Sequence, residues 1–133
     1  MMLKKIPTKN HTANLQSISP YLFWVLIAIV TALLLMEQRT SIGEFLHLDK
    51  IIHAIIFASL TAIGYLAYSK HSLWLYLGLS AYGIITELLQ DAYTITRHAS
   101  IYDWMAGTAG ILLCILVLNI LKKQSTMKRS HVR

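Results

Sequence analysis

An all-α polytopic membrane protein with four transmembrane helices and both termini cytoplasmic is the fold class that this sequence predicts. Three observations predict it. The 133 residues are 56% hydrophobic and only 14% charged, whereas a soluble domain carries about a quarter charged residues. Four apolar runs, Tyr21 to Met36, Ile51 to Tyr68, Leu73 to Leu89 and Trp104 to Leu121, stand out. Each is near the length that crosses roughly 30 Å of hydrocarbon at ~1.5 Å per residue. Peptide groups cannot stay unpaired in lipid, so the runs are expected as helices, and no alternating barrel pattern is visible.

Residues 1–19 form a polar, basic N-terminal tail with Lys4, Lys5 and Lys9. Pro20 marks the entry to the first helix, and Tyr21, Phe23 and Trp24 suit a membrane interface. The first run could serve as a signal peptide. It is long, however, and is followed by Glu37-Gln38-Arg39 rather than a small-residue cleavage site, so an uncleaved helix is expected. Residues 37–50 make a first outer loop whose Ile42, Phe45, Leu46 and Leu48 suit the bilayer surface. The second helix runs from about Asp49 to Tyr68. The turn from Ser69 to Ser72 is so short that the second and third helices must form an antiparallel hairpin. Residues 91–102 make a second outer loop, the fourth helix runs to Leu121, and residues 122–133 form a basic tail. Residues 20–121 are thus one membrane domain. Cys114, the only cysteine, lies inside the fourth run, which excludes an intramolecular disulfide and a thiolate metal cage.

The net charge of +6 raises the question of nucleic acid, but its distribution argues for a membrane. Lys4, Lys5, Lys9, Lys70, Lys122, Lys123, Lys128, Arg129 and Arg133 fall on one side of a four-crossing chain. Only Arg39, Lys50 and Arg97 fall on the other, together with all six acidic residues, Glu37, Glu44, Asp49, Glu87, Asp91 and Asp103. Positive charge marks the cytoplasmic side. The basic tails read as topology signals that touch anionic headgroups, with no nucleic acid expected.

Residues three and four apart share a helix face. Tyr76, Ser80, Gly83, Glu87 and Gln90 form one stripe on the third helix. Asp103, Ala106, Gly107, Gly110 and Cys114 form one on the fourth. Small residues let membrane helices approach closely, so these are the expected packing faces. On the second helix Asp49, His53, Phe57 and Leu60 lead to Gly64, and Ala54, Ala58 and Ala62 form another stripe. The polar residues Asp49, Lys50, His53, Glu87, Gln90, Arg97 and Asp103 then all belong to the outer half of the membrane. An ionisable group there is costly without a partner and marks a functional site by default.

His53, Glu87 and Asp103 are the catalytic candidates, with Asp49, Lys50, Gln90 and Arg97 as binding candidates. Arginine can grip a carboxylate or phosphate at two points, and histidine exchanges protons near neutral pH. Plainer readings stand beside these. Asp49 and Asp103 open helices and suit caps. Glu87 and Gln90 could simply join helices, and Arg97 could anchor at the interface. A metal site from His53, Glu87 and Asp103 has no close-spaced ligand pair of the His-x-x-x-His kind behind it, so no metal and no cofactor are expected.

Asp49-Lys50-Ile-Ile-His53, then Glu87-Leu-Leu-Gln90, then Arg97, Ser100 and Asp103, then Gly110, resembles in order and spacing the VanZ-like membrane protein family. The family pattern reads Asp-Lys-x-x-His, Glu-x-x-Gln, Arg-x-x-(Ser/Asp)-x-x-Asp and Ala-Asn-x-x-Gly. The resemblance covers roughly residues 20–121. It departs at Gly107, where the family pattern carries asparagine. The family's namesake is associated with low-level resistance to the glycopeptide teicoplanin. The resemblance implies a bacterial cytoplasmic membrane protein that binds or modifies an amphiphilic cell-envelope molecule, a lipid or lipid-linked wall precursor, at an outward-facing polar pocket. A non-catalytic assembly factor is the alternative, and a proton or ion pathway is a third. Membrane lipids and a second copy of the chain are the expected partners.

Overall fold

The computed structural model describes residues 11–36, 46–95 and 99–130. These form helices α1 (His11–Leu35), α2 (Leu46–Tyr68), α3 (Ser72–Tyr93) and α4 (Ile101–Ser130), with a 3-10 turn at Ser69–His71 between α2 and α3. No strand occurs among the described residues. Three helical stretches are long and apolar enough to cross a membrane: Gln16–Leu35, Leu48–Tyr93 and Ile101–Lys128.

The stretch Leu48–Tyr93 is 46 residues long, about twice what one crossing needs. It doubles back at Ser69–His71. Gly64 lies against Leu75, the Phe57 ring against Tyr82, and His53 against Glu87. Partner numbers therefore fall on one side of the turn as they rise on the other, which defines the antiparallel hairpin expected from the four-residue turn. No glycine or proline breaks the chain there; exposed Lys70 and His71 supply the polar residues at the fold.

The other two helices complete a bundle with two chemically different ends. Near the hairpin turn, Trp24 of α1 donates to the Tyr68 hydroxyl (2.9 Å), and Lys122 of α4 lies over the Tyr65 ring, 4.6 Å from its centroid. At the far end, α1 finishes beside Gln90 and α4 starts beside Lys50 and Glu87. Helix α1 thus begins, and α4 ends, at the hairpin-turn end. Of the described lysines, Lys70, Lys122, Lys123 and Lys128 are at this end, all exposed, while Lys50 is at the other with Asp49, Glu87, Asp91 and Asp103.

Helix boundaries differ from the sequence reading at both outer loops and at two helix ends. Leu46–Leu48, expected in the first outer loop, open α2, and Asp91–Tyr93 and Ile101–Tyr102, expected in the second, belong to α3 and α4. Helix α1 starts at His11, well before Pro20, which sits inside it. A proline removes the N–H that would serve the carbonyl four residues back. That carbonyl belongs to Gln16, and the Ser19 hydroxyl donates to it instead (3.2 Å). Helix α4 continues past Leu121 to Ser130. No glycine or proline stops it, and lysines in the closing turns favour a helix C-terminus.

The core is Phe23, Val30, Leu34, Phe57, Leu60, Leu79 and Ile111. Around it a wall of apolar side chains is exposed, among them Ile29, Leu33, Ile55, Ile84, Leu112 and Leu116. In water such continuous apolar surface would drive association; against acyl chains it is the expected exterior. The tightest packing is between α2 and α4. A Cβ on Gly110 would run into the backbone carbonyl of Ala54, and one on Gly107 would stand 2.9 Å from the Phe57 ring. These glycines belong to the small-residue stripe of α4, and Ala54 to the small-residue stripe of α2.

Polar side chains pin the apolar contacts. Thr31 and Tyr82 share a hydrogen bond of 2.8 Å between α1 and α3. The buried Gln90 side chain donates to the Leu34 carbonyl (2.8 Å), one of the last carbonyls of α1, which has no partner within its own helix. Gln90→Leu should destabilise the chain by about 1–3 kcal/mol, because that carbonyl would be buried unpaired. Unfolding of the purified variant in detergent measures it, and an unchanged midpoint would count against this pin.

Candidate functional site

The polar end of the bundle is assembled by α2, α3 and the first turn of α4. Asp49, Lys50 and His53 come from the first two turns of α2, Glu87 and Gln90 from the last two of α3, and Asp103 from the first of α4. Exposure rises outward from a buried centre. The His53 and Glu87 side chains are 2% and 7% exposed, Asp103 is 11% and Lys50 33%, and Asp49 is 39%. The site is a buried histidine–carboxylate pair beneath a charged rim.

At the centre, His53 Nε2 is 3.4 Å from Glu87 Oε1. On its other side, Nδ1 is 3.1 Å from the Asp49 carbonyl oxygen and 3.9 Å from Asp49 Oδ1. Oxygen acceptors therefore flank both ring nitrogens. A neutral imidazole has one N–H, and a carboxylate or carbonyl oxygen only accepts. The arrangement is one positive charge short with a neutral ring and an ionised Glu87. A second proton, carried by the ring or by Glu87, satisfies it, and so does a cation on one side of the ring.

Glu87 has a further role. Its Oε2 accepts the Ser100 N–H (2.8 Å), and the Ser100 carbonyl accepts from Asp103 N (3.0 Å) and Trp104 N (3.3 Å). Ser100 is thus the residue that starts α4. Ser-x-x-acid is a helix-start signature in which the acid usually turns back to the backbone N–H of the serine. Here Glu87, from another helix, takes that N–H. The Asp103 carboxylate points instead toward Lys50, whose Nζ is 3.5 Å from Oδ1. Asp103 Oδ1, His53 Nε2 and Glu87 Oε1 are buried and make no hydrogen bond among the described residues. Asp49 Oδ, a ring nitrogen of His53 and an Asp103 oxygen all lie within 4.8 Å of one another.

The structure thus brings together Asp49, Lys50, His53, Glu87 and Asp103. It places Gln90 one turn away, with its amide donor given to α1. Arg97 and His98 lie outside the described residues, as do Ile42 and Phe45 of the first outer loop. At Gly107, where the resembled pattern has asparagine, the Phe57 ring fills the space next to the backbone. Cys114 is half-buried. The Trp24–Tyr68 and Thr31–Tyr82 bonds were not expected from sequence. Their only signal is that each polar group lies at the same depth in neighbouring helices, which a helical wheel of one helix does not show.

A concavity lies at the opposite end from the polar cluster. It is an apolar groove of about 440 Å³ between α1 and α3, lined by Trp24, Ile27, Tyr68, Trp74, Gly78 and Tyr82 among others. It shares no residue with the polar cluster.

Compared with known proteins, the chain matches no family model, no curated protein and no solved structure.

Proposed function

We propose that the chain is a VanZ-like multi-pass protein of the bacterial cytoplasmic membrane. It makes four crossings, with both termini cytoplasmic and the polar cluster facing outward. In this reading the cluster binds, and by acid–base chemistry modifies, an amphiphilic envelope molecule with an anionic headgroup, a phospholipid or lipid-linked wall precursor. A tie to glycopeptide resistance rests on the family resemblance alone.

The observation that carries the reading is the buried His53–Glu87 pair, 3.4 Å apart, beneath a rim that includes Lys50. A pair that lacks one proton or cation is equipped to take up a proton and give it back, provided substrate reaches it. Burying such a pair is expensive, and replacing one with apolar packing often stabilises a protein. Its position at the end of the bundle away from Lys70, Lys122, Lys123 and Lys128 supports an outward site, by the positive-inside bias. Lys50 and Arg97 would hold the headgroup, and Asp49 and Asp103 would orient Lys50 and His53.

The assembly-factor reading has its own support: Gln90 and Glu87 both tie helices together. The two readings part in cells. Under the enzymatic reading, His53→Ala, Glu87→Ala and Arg97→Ala, each expressed at wild-type level, shift the membrane lipid or wall-precursor profile by mass spectrometry in the same direction as deletion of the gene. Wild-type profiles in all three variants, beside a changed profile in the deletion, would end it.

A further inference from the structure

We infer that the outward rim is a divalent-cation site in which Asp49, His53 Nδ1 and Asp103 coordinate one Zn²⁺ or Mn²⁺ ion, with Glu87 holding the opposite ring nitrogen. The inference deepens the preceding reading by giving the anionic headgroup a metal ion to bind, and it uses the same residues.

The argument begins with the acceptors. His53 faces the carbonyl and carboxylate of Asp49 on one side and Glu87 on the other. If Nε2 carries the ring proton, it donates toward Glu87 Oε1. With the proton on Nδ1 instead, the ring donates to the Asp49 carbonyl (3.1 Å); with it on Nε2, Nδ1 is a lone pair facing the oxygens of Asp49, an arrangement that repels unless a cation lies between them. Metal-bound histidines have this organisation, with the distal N–H held by a carboxylate that fixes the tautomer and the ring. Glu87 suits that role because its second oxygen is itself fixed by Ser100 N–H (2.8 Å).

The third ligand comes from the helix start. The Asp103 side chain is 11% exposed. Its Oδ1 makes no hydrogen bond, since Glu87 has taken the N–H that an acid at this position ordinarily accepts, and its ion-pair partner Lys50 Nζ, 3.5 Å away, turns out to the rim when the ion binds. Its oxygen lies within 4.8 Å of the ligand atoms of Asp49 and His53. Ligands about 2.0–2.2 Å from a shared ion stand slightly over 3 Å apart, so small side-chain rotations close the set. Asp49 and His53 are four apart on one helix, which puts both on one face.

Charge agrees. Asp49, Glu87 and Asp103 bring three negative charges around Lys50 and a neutral ring. One imidazole with two carboxylates suits zinc or manganese better than magnesium or calcium, which take oxygen ligands. Three protein ligands leave positions open for water and for a headgroup phosphate. That open rim is where Asp49 and Lys50 are most exposed.

The test is direct binding to the purified full chain in detergent, stripped with chelator and titrated with Zn²⁺ and with Mn²⁺. One ion per chain is expected for at least one of them. Asp49→Asn and Asp103→Asn should each weaken it at least 100-fold, with helical content by circular dichroism unchanged. Glu87→Gln should keep the stoichiometry and weaken binding by about 10–100-fold. The Mn²⁺ form should show one coupled imidazole nitrogen by pulsed electron paramagnetic resonance, lost in His53→Ala. Absence of saturable binding of either ion, or affinity unchanged in both asparagine variants, which would mean an adventitious ion on other histidines, overturns the inference. Ion binding with no effect of the gene on the envelope would leave this site standing and remove the envelope reading. An envelope effect without ion binding would do the reverse.

Discussion

Gly110→Ala should lower the stability of the bundle by about 1–3 kcal/mol, the range typical of overpacking, and Gly110→Leu should prevent folding. The reason is the partner. A Cβ at Gly110 meets the backbone of Ala54, not a side-chain end that can rotate away. Helices α2 and α4 would have to separate, and the separation would pull Asp103 away from Lys50 and His53. Gly78→Ala is the matched control, since a Cβ there meets nothing within 4 Å. Unfolding midpoints of the purified variants in one detergent report both. A Gly110→Ala protein as stable as the Gly78→Ala protein would mean that the α2–α4 crossing is looser than described.

Glu87→Gln and Glu87→Leu should differ sharply. Glutamine retains an oxygen for Ser100 N–H and adds an amide donor for His53 Nε2, so the chain should fold as the wild type does. Leucine removes the acceptor of the half-buried Ser100 N–H, which costs up to about 1–3 kcal/mol, and leaves His53 Nε2 facing hydrocarbon. If the cluster only locks helices, glutamine preserves function along with fold. If Glu87 carries a proton or orients a ligand histidine, glutamine folds and the envelope phenotype is lost. Paired measurements of unfolding and of lipid or precursor profile separate the outcomes. A glutamine variant that is both stable and fully functional would refute the acid–base role of Glu87.

Much of this was legible in the sequence because membrane helices obey few rules. Run length gave the helices, and the short Ser69–Ser72 link forced the hairpin that pairs His53 with Glu87. Period 3.6 placed Asp49, His53, Phe57 and Leu60 on one face, and of these His53, Phe57 and Leu60 are fully buried. The small-residue face of α4 was legible as a packing face, but neither its partner α2 nor the contact of Gly110 with the Ala54 backbone was. Helix ends were less legible. Pro20 reads as a start in sequence, yet Ser19 repairs the carbonyl that proline strands. The capping exchange was also hidden. Ser100-x-x-Asp103 looks self-contained, and only the fold reveals that Glu87 replaces Asp103 at the Ser100 N–H. For the same reason Asp49 and Asp103 read as caps in sequence, while in the structure both carboxylates stand near His53.

The most direct test of the central claim, an outward polar site with both tails inside, is thiol accessibility. In a Cys114→Ser background, Asp49→Cys and Lys70→Cys probe the two ends of the hairpin in intact bacterial cells, or in spheroplasts where an outer membrane is present. A membrane-impermeant maleimide should label position 49 without permeabilisation and position 70 only after it. Labelling of position 70 from outside, with position 49 protected until lysis, would contradict the account.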